Sequence, residues 1–303
     1  MRKEIIKDHF GDLAYIISKY DYFIEGKIDK VLRGHTGYVA SVCVLPNGQI
    51  VSGSWDKTCI IWKLNGNMDK VLKGHINIVN CVSILPNGQI VSGSDDYTCI
   101  IWKFNGEIDK IYKGHTGWIT CVDILPNGHI VSGSDDKTCI IWKLNGEINK
   151  VLEGHTSKVS CVNVLPNGQI VSGSWDQTLM IWKENGDIDK VYKGHTSCIT
   201  CVNVLPNEQI VSGSWDETLI IWKDNGEVDK ILKGHTNNIR CISILLNGQI
   251  VSGSIDNTCI IWKENGEIYK VCKGHSGSVA SVSVLPNGQI VSGSNDTTLI
   301  IWK

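Results

Sequence analysis

GHTGYVASVCVLPNGQIVSGSWDKTCIIWKLNGNMDKVLK, residues 34–73, is the unit from which almost the whole chain is built. Its Gly-His pair, ending at His35, returns at His75, His115, His155, His195, His235 and His275. Its Ser-Gly-Ser-x-Asp run ends at Asp56 and then at Asp96, Asp136, Asp176, Asp216, Asp256 and Asp296. Ile-Trp-Lys is centred on Trp62, Trp102, Trp142, Trp182, Trp222, Trp262 and Trp302. The interval is 40 residues throughout, without an insertion or deletion across seven copies. A fixed period of this length outranks local signals, because a unit too small to bury its own apolar face must stack on the next.

Four short strands are legible inside each unit. Residues 38–45, YVASVCVL, are rich in Val and end at the turn Pro46-Asn47-Gly48. Residues 49–54, QIVSGS, form a second strand, closed by a tight turn around Asp56 and Lys57. Residues 58–63, TCIIWK, make a third, and after Asn65-Gly66 residues 67–72, NMDKVL, supply the fourth. Asn-Gly at both turns predicts type I′ hairpins, in which both central residues take positive φ. Four antiparallel strands in forty residues leave no room for a crossover helix, so the fold class is all-β by radial repetition.

Gly-His, Ser-Gly-Ser-x-Asp and a terminal Trp dipeptide at this spacing resemble the WD-repeat β-propellers, over residues 26–303. One departure is systematic: the Asp of the usual Trp-Asp pair is a Lys, Lys63 in the first copy, in all seven. The resemblance implies a seven-bladed propeller. The last copy stops at Trp302-Lys303, after its third strand, while residues 27–32, KIDKVL, match the fourth-strand pattern ahead of the first Gly-His. The expected closure pairs residues 27–32 with 298–303, so that an N-terminal strand completes the C-terminal blade and leaves no open edge. The expected domains are an N-terminal extension, 1–25, and a propeller, 26–303. Ile6, Phe10, Leu13, Ile17 and Tyr20 recur at helical spacing, predicting a helix over residues 1–21 that packs on the propeller or docks a partner.

Composition excludes several classes. The 303 residues are 42% apolar and 20% charged, as in globular proteins. Lys and Arg number 29 against 31 Asp and Glu, a net charge of −2, so a domain-wide basic footprint for nucleic acid is absent. No apolar run approaches the roughly 20 residues of a membrane-spanning helix. The N-terminus MRKEIIKDHFGDLAYIISKY carries charges among its apolar positions, unlike a signal peptide. Of the 12 cysteines, Cys81, Cys121, Cys161, Cys201 and Cys241 share one register. Cys59, Cys99, Cys139 and Cys259 share another, whose remaining places hold Leu179, Leu219 and Leu299. A place that takes Cys or Leu equally asks for a buried apolar group. So many free thiols favour a reducing compartment, cytosol or nucleus.

Each copy also holds Ser, His and Asp, in the first Ser52, His35 and Asp56, which invites a hydrolase reading. Seven equivalent copies oppose it, since catalysis needs one exposed nucleophile in one cleft. In the resembling family this His, Asp and strand Ser hydrogen-bond with the third-strand Trp inside the blade; the sequence leaves Ser52 and Ser54 equally eligible. Cys198 and Cys201 with His195 fall short of the four ligands of a structural zinc site. No phosphate-binding GxxxxGK[ST] loop is present. No enzyme, cofactor or metal is therefore expected.

Seven near-identical copies show where they disagree. The place before the turn Asp holds Trp55, Asp95, Asp135, Trp175, Trp215, Ile255 and Asn295. The third residue after the histidine is Tyr38, Ile78, Trp118, Lys158, Cys198, Asn238 or Ser278. Two further on come Ala40, Asn80, Thr120, Ser160, Thr200, Arg240 and Ala280. All three registers fall in loops that share one rim of an up-and-down blade, in the family the top of the channel. Of 11 tryptophans, the four outside the repeat signature, Trp55, Trp118, Trp175 and Trp215, all lie there. Large aromatics where the scaffold tolerates Asp or Asn point to a binding face. The expected site is Tyr38, Trp55, Trp118, Trp175 and Trp215 with Asp95, Asp135, Lys158 and Arg240 around them. The expected function is a scaffold or adaptor for a protein or peptide partner, with the propeller as one copy in a larger complex. An enzyme and a nucleic-acid binder are the other classes; two rim cations are few for the latter. Leu-Pro-Asn-Gly with Ser-Gly-Ser-Trp-Asp and Trp-Lys is also similar to the propeller of the phospholipase-activator protein family, which implies ubiquitin as a partner on the top face.

Overall fold

The computed structural model describes residues 25–183 and 185–303, and the helix expected over 1–21 lies outside them. The described chain forms 28 strands in seven four-stranded antiparallel sheets. In the first repeat β2 (Val39–Val44) is innermost, followed outward by β3 (Ile50–Ser54), β4 (Thr58–Trp62) and β5 (Met68–Lys73). β3 is buried along its whole length, because each blade is sandwiched between two others. Ile-Val-Ser-Gly-Ser accordingly lacks the apolar–polar alternation of a sheet with one wet face. The outermost β5 is mostly exposed, with Leu72 as its one buried residue. Its lysines and Asp69 keep that open edge from pairing with another chain.

The innermost strands β2, β6 (Val79–Ile84), β10 (Ile119–Ile124), β14 (Val159–Val164), β18 (Ile199–Val204), β22 (Ile239–Ile244) and β26 (Val279–Val284) each pack on the next, and β26 packs on β2. The ring closes as the sequence predicts. β1 (Ile28–Arg33) pairs with β28 (Thr298–Trp302), from Ile28 opposite Trp302 to Arg33 opposite Thr298. Behind this pair Leu32, Val39, Ile50 and Trp62 share one core with Val291, Leu299 and Ile301, so the seam between last and first blades is an ordinary interblade layer.

Small residues let the blades approach. A Cβ at Gly93 would lie 2.7 Å from Cys81 Sγ and 2.6 Å from Ile119 Cγ2 of the next blade. The same Cys-on-Gly contact recurs at Gly133, Gly173, Gly213 and Gly253. In the first and seventh blades Ser replaces that Cys, and its hydroxyl accepts a backbone N–H of the following blade, Val82 N to Ser41 and Val42 N to Ser281. The other thiol register is fully buried, whether Cys59 or Leu179 occupies it. Burial pushes the Cys59 thiol up to about 12.

The turns differ from the type I′ expectation. Gly48 N donates to Leu45 O at 2.8 Å and Leu45 N to Gln49 O at 2.8 Å. Only Gly48 takes positive φ, +84°, while Asn47 uses its side chain to accept Gln49 N at 3.0 Å. This is a three-residue loop with a glycine bulge, in which Asn serves as an Asx acceptor. Glu208 stands where the other six copies have Gly and takes φ +68°. A left-handed non-glycine residue costs roughly 1–2 kcal/mol. Glu208→Gly is therefore expected to raise stability by about 1 kcal/mol, measured by urea unfolding; an unchanged or lower midpoint would contradict this.

Candidate functional site

Inside every blade the signature residues form one closed network. His35 Nδ1 lies 2.7 Å from Asp56 Oδ2, and His35 Nε2 lies 2.8 Å from Ser52 Oγ. Trp62 Nε1–H donates to the same Ser52 Oγ at 2.8 Å. The tautomer that satisfies all three contacts has Nδ1–H donating to the carboxylate and the serine hydroxyl donating to Nε2. Ser54 has a different task, accepting Asp56 N at 3.1 Å. The same contacts recur in the six other blades, for example His155 with Asp176 and Ser172, and Trp182 with Ser172. The arrangement reproduces the connectivity of a hydrolase triad, but Ser52 is fully buried and its oxygen is occupied by an indole. A substrate carbonyl cannot reach it, so the constellation braces the blade. Burial alone would raise the Asp96 carboxyl; hydrogen bonds from His75 and Thr98, the electrostatic pull of the His75 ring and the Ile76 N–H outweigh it and hold it at about 2.

The three varying registers meet on one face, the top, but only two of them lie in its loops: the register of Ala40, expected in a loop, is the second residue of each innermost strand, β2 to β26. Within each blade the residue before the turn Asp donates its N–H to the carbonyl of the third residue after the histidine: Trp55 to Tyr38, Trp175 to Lys158 and Trp215 to Cys198, each at 2.9 Å. That bridge sets the two side chains beside one another. Tyr38 stacks on Trp55 with ring centroids 4.8 Å apart. Between blades, Trp175 meets Trp215 at 4.9 Å. Lys158 Nζ lies 5.6 Å from the centre of the Trp118 ring and 4.9 Å from that of Trp175. Trp118, Lys158, Trp175 and Trp215 thus form one continuous run across three blades.

This run borders a mouth of about 360 Å³ to which every blade contributes. Of the residues expected at the site, Trp55, Asp95, Trp118, Lys158, Trp175, Trp215 and Arg240 line it. Tyr38 stands behind Trp55, and Asp135 sits exposed on the rim, its N–H bonded to Trp118 O, outside the lining. Asp95 accepts Asn80 Nδ2 at 2.6 Å. Burial pushes the Asp95 carboxyl up, with Asp135 and Asp96 adding to this and Asn80 and Lys158 opposing it.

The register of Ala40, Asn80, Thr120, Ser160, Thr200, Arg240 and Ala280 forms the throat of the mouth, and all seven members line it. Its variation is tied to the scaffold. Asn80 donates to Ile119 O at 2.9 Å, Thr120 to Val159 O at 2.6 Å and Thr200 to Ile239 O at 2.6 Å, and Ser160 donates to Ile199 O, each tying its blade to the next. The recurrence of short hydrogen-bonding side chains in four successive copies was the signal for this role. Arg240 departs from that pattern. Among the described residues, no three His, Cys, Asp or Glu side chains gather as a metal site.

No curated protein matches the chain in sequence. Among the solved structures it is similar to the crystal structure of the WD40 β-propeller domain of Doa1, with TM-score 0.86 and 25% identity over 91% of this chain and 96% of that one. That propeller is one of 1556 solved chains that match, so the likeness speaks first to architecture. The family model for the WD domain, G-beta repeat, matches residues 26–63, 66–103, 106–143, 146–183, 186–223, 226–263 and 266–303. Those matches cover every blade of the ring, and the chain belongs to the WD40 repeat family.

Proposed function

We propose that the chain is a non-enzymatic adaptor that docks a protein or peptide partner on its top mouth. WD40 propellers generally mediate protein interactions. The observation that carries the reading is the gathering of all four tryptophans outside the blade networks around one mouth. Trp55 and Trp118 are each close to half exposed, at 46% and 45%. Aromatics clustered at a concave centre are the residues that dominate interface energies. Ubiquitin is the first partner to test, on the strength of the resemblance of Leu-Pro-Asn-Gly, Ser-Gly-Ser-Trp-Asp and Trp-Lys to the propeller of the phospholipase-activator protein family. The adaptor acts as a single propeller within a larger complex, in cytosol or nucleus.

The test is the quadruple variant Trp55→Ala, Trp118→Ala, Trp175→Ala, Trp215→Ala, probed by thermal melting and by capture on immobilised ubiquitin and from lysate. Each well-buried anchor contributes about 2 kcal/mol or more to binding, so capture falls by 100-fold or more. Each aromatic stack contributes roughly 0.5–1.5 kcal/mol to folding, so the variant stays folded and melts a few degrees lower. Undiminished capture by a folded variant would move the interface off the top. A collapse of the fold would make the tryptophans packing residues. Capture lost from lysate, with no wild-type binding to ubiquitin, would retain the adaptor and remove ubiquitin.

A further inference from the structure

We infer that the partner segment entering the top mouth is acidic, an extended peptide that presents a carboxylate side chain beside an apolar one; this rests on the adaptor reading above. Two cations face the mouth, Lys158 and Arg240. Among the described residues neither side chain makes a hydrogen bond or an ion pair; the Lys158 ammonium has only its aromatic contacts. The acids nearby form no ion pair with them, although the Lys158 charge reaches Asp95. Asp95 is engaged by Asn80, and Asp135 lies outside the lining. The mouth therefore holds an ammonium and a guanidinium among tryptophan faces, and a carboxylate is the group that answers either.

The aromatic faces also decide the sign. Tryptophan faces attract cations, and an aromatic mouth alone would suit a lysine or arginine of the partner. Here the space between Trp118 and Trp175 is filled by the chain's own Lys158. A cationic side chain would have to displace that ammonium and then meet Arg240. A carboxylate approaches Lys158 without disturbing the stack, which fixes the ammonium in place before binding. The apolar neighbour of that carboxylate covers Trp55 or Trp215, and the throat hydroxyls already bonded between blades leave the mouth rigid.

The experiment is selection from an array of random dodecapeptides with the purified full chain, comparing wild type, Lys158→Met, Arg240→Ala and the tryptophan quadruple variant. Wild type is expected to retain peptides in which Asp or Glu adjoins Leu, Ile, Phe or Trp. For a resynthesised hit, Lys158→Met and Arg240→Ala each weaken binding about tenfold or more, and Asp→Asn in the peptide weakens it equally. Melting of both variants within a few degrees of wild type confirms that the fold is intact. Retained peptides that are basic or uncharged, yet lost in the quadruple variant, would overturn the acidic assignment while keeping the mouth as the docking site. Retention that ignores the quadruple variant would overturn both. Retention of poly(U) RNA in place of peptides, lost in Lys158→Met and Arg240→Ala, would assign the cations to nucleic acid and overturn the proposal.

Discussion

Deleting residues 1–33 is expected to lower the melting midpoint by 10 °C or more, or to leave the protein insoluble. The deletion removes β1 and with it the partner of β28 from Thr298 to Trp302. Leu32, 2% exposed, leaves the core it shares with Val39, Val291 and Leu299. Losing one such leucine costs about 2–5 kcal/mol, and in domains of 150–250 residues each kcal/mol shifts the midpoint by about 2–4 °C. The backbone of β28 is then an unpaired edge whose donors and acceptors invite a second chain. Deletion of residues 1–24 alone is the control, since it leaves β1 in place. Leu32→Ala separates the side chain from the strand. Melting of the longer deletion at the wild-type midpoint would show that the ring does not depend on this seam.

Closure was legible because KIDKVL at 27–32 matches a pattern that six later copies place at the end of a blade. The period itself carried the rest of the architecture, since every strand recurs in register. Turn geometry was less legible. Asn-Gly suits both a type I′ turn and a loop with a glycine bulge, and the choice rests on strand register, seen in the Leu45–Gln49 backbone pair. Ser52 and Ser54 are two residues apart and both fully buried, so nothing local separates the one that bonds His35 from the one that bonds Asp56. At the top mouth, variation among copies picked out the tryptophans because the scaffold is constant enough to serve as its own reference. It did not reveal that Lys158 lies between Trp118 and Trp175. That contact joins neighbouring blades, and no short window of sequence encodes it. Nor did it separate Arg240 from Thr120 and Ser160, whose hydroxyls tie blades together in the same register.

Acid should unfold the propeller abruptly, because seven carboxylates share one environment. Each turn Asp accepts His, Thr and backbone donors that favour its charged form, and in each the carboxyl lies below its usual value despite burial, Asp96 at about 2. An unfolded Asp titrates near 3.9. With the folded value lower, the unfolded chain takes up protons first as pH falls. The stabilisation is therefore complete above about pH 5 and is lost through pH 4 towards 2. Each carboxylate contributes a slope of up to about 1.4 kcal/mol per pH unit, and seven titrating together approach about 10. Against a total stability of roughly 5–15 kcal/mol, that slope unfolds the ring within one or two pH units. His275 acts in the same direction, since burial pushes its imidazole down against the pull of Asp296 and the folded chain resists its protonation. Asp176→Asn isolates one blade. Near neutral pH it should cost about 1–3 kcal/mol, because His155 loses a charged acceptor. Below about pH 3 the cost should shrink towards zero, since the wild-type carboxyl is then largely protonated in the unfolded chain. Chemical unfolding of both proteins from pH 7 to 2.5 measures this difference directly. A difference that stays constant across that range would show that the Asp176 side chain matters for its shape and hydrogen bonds and that its charge contributes nothing.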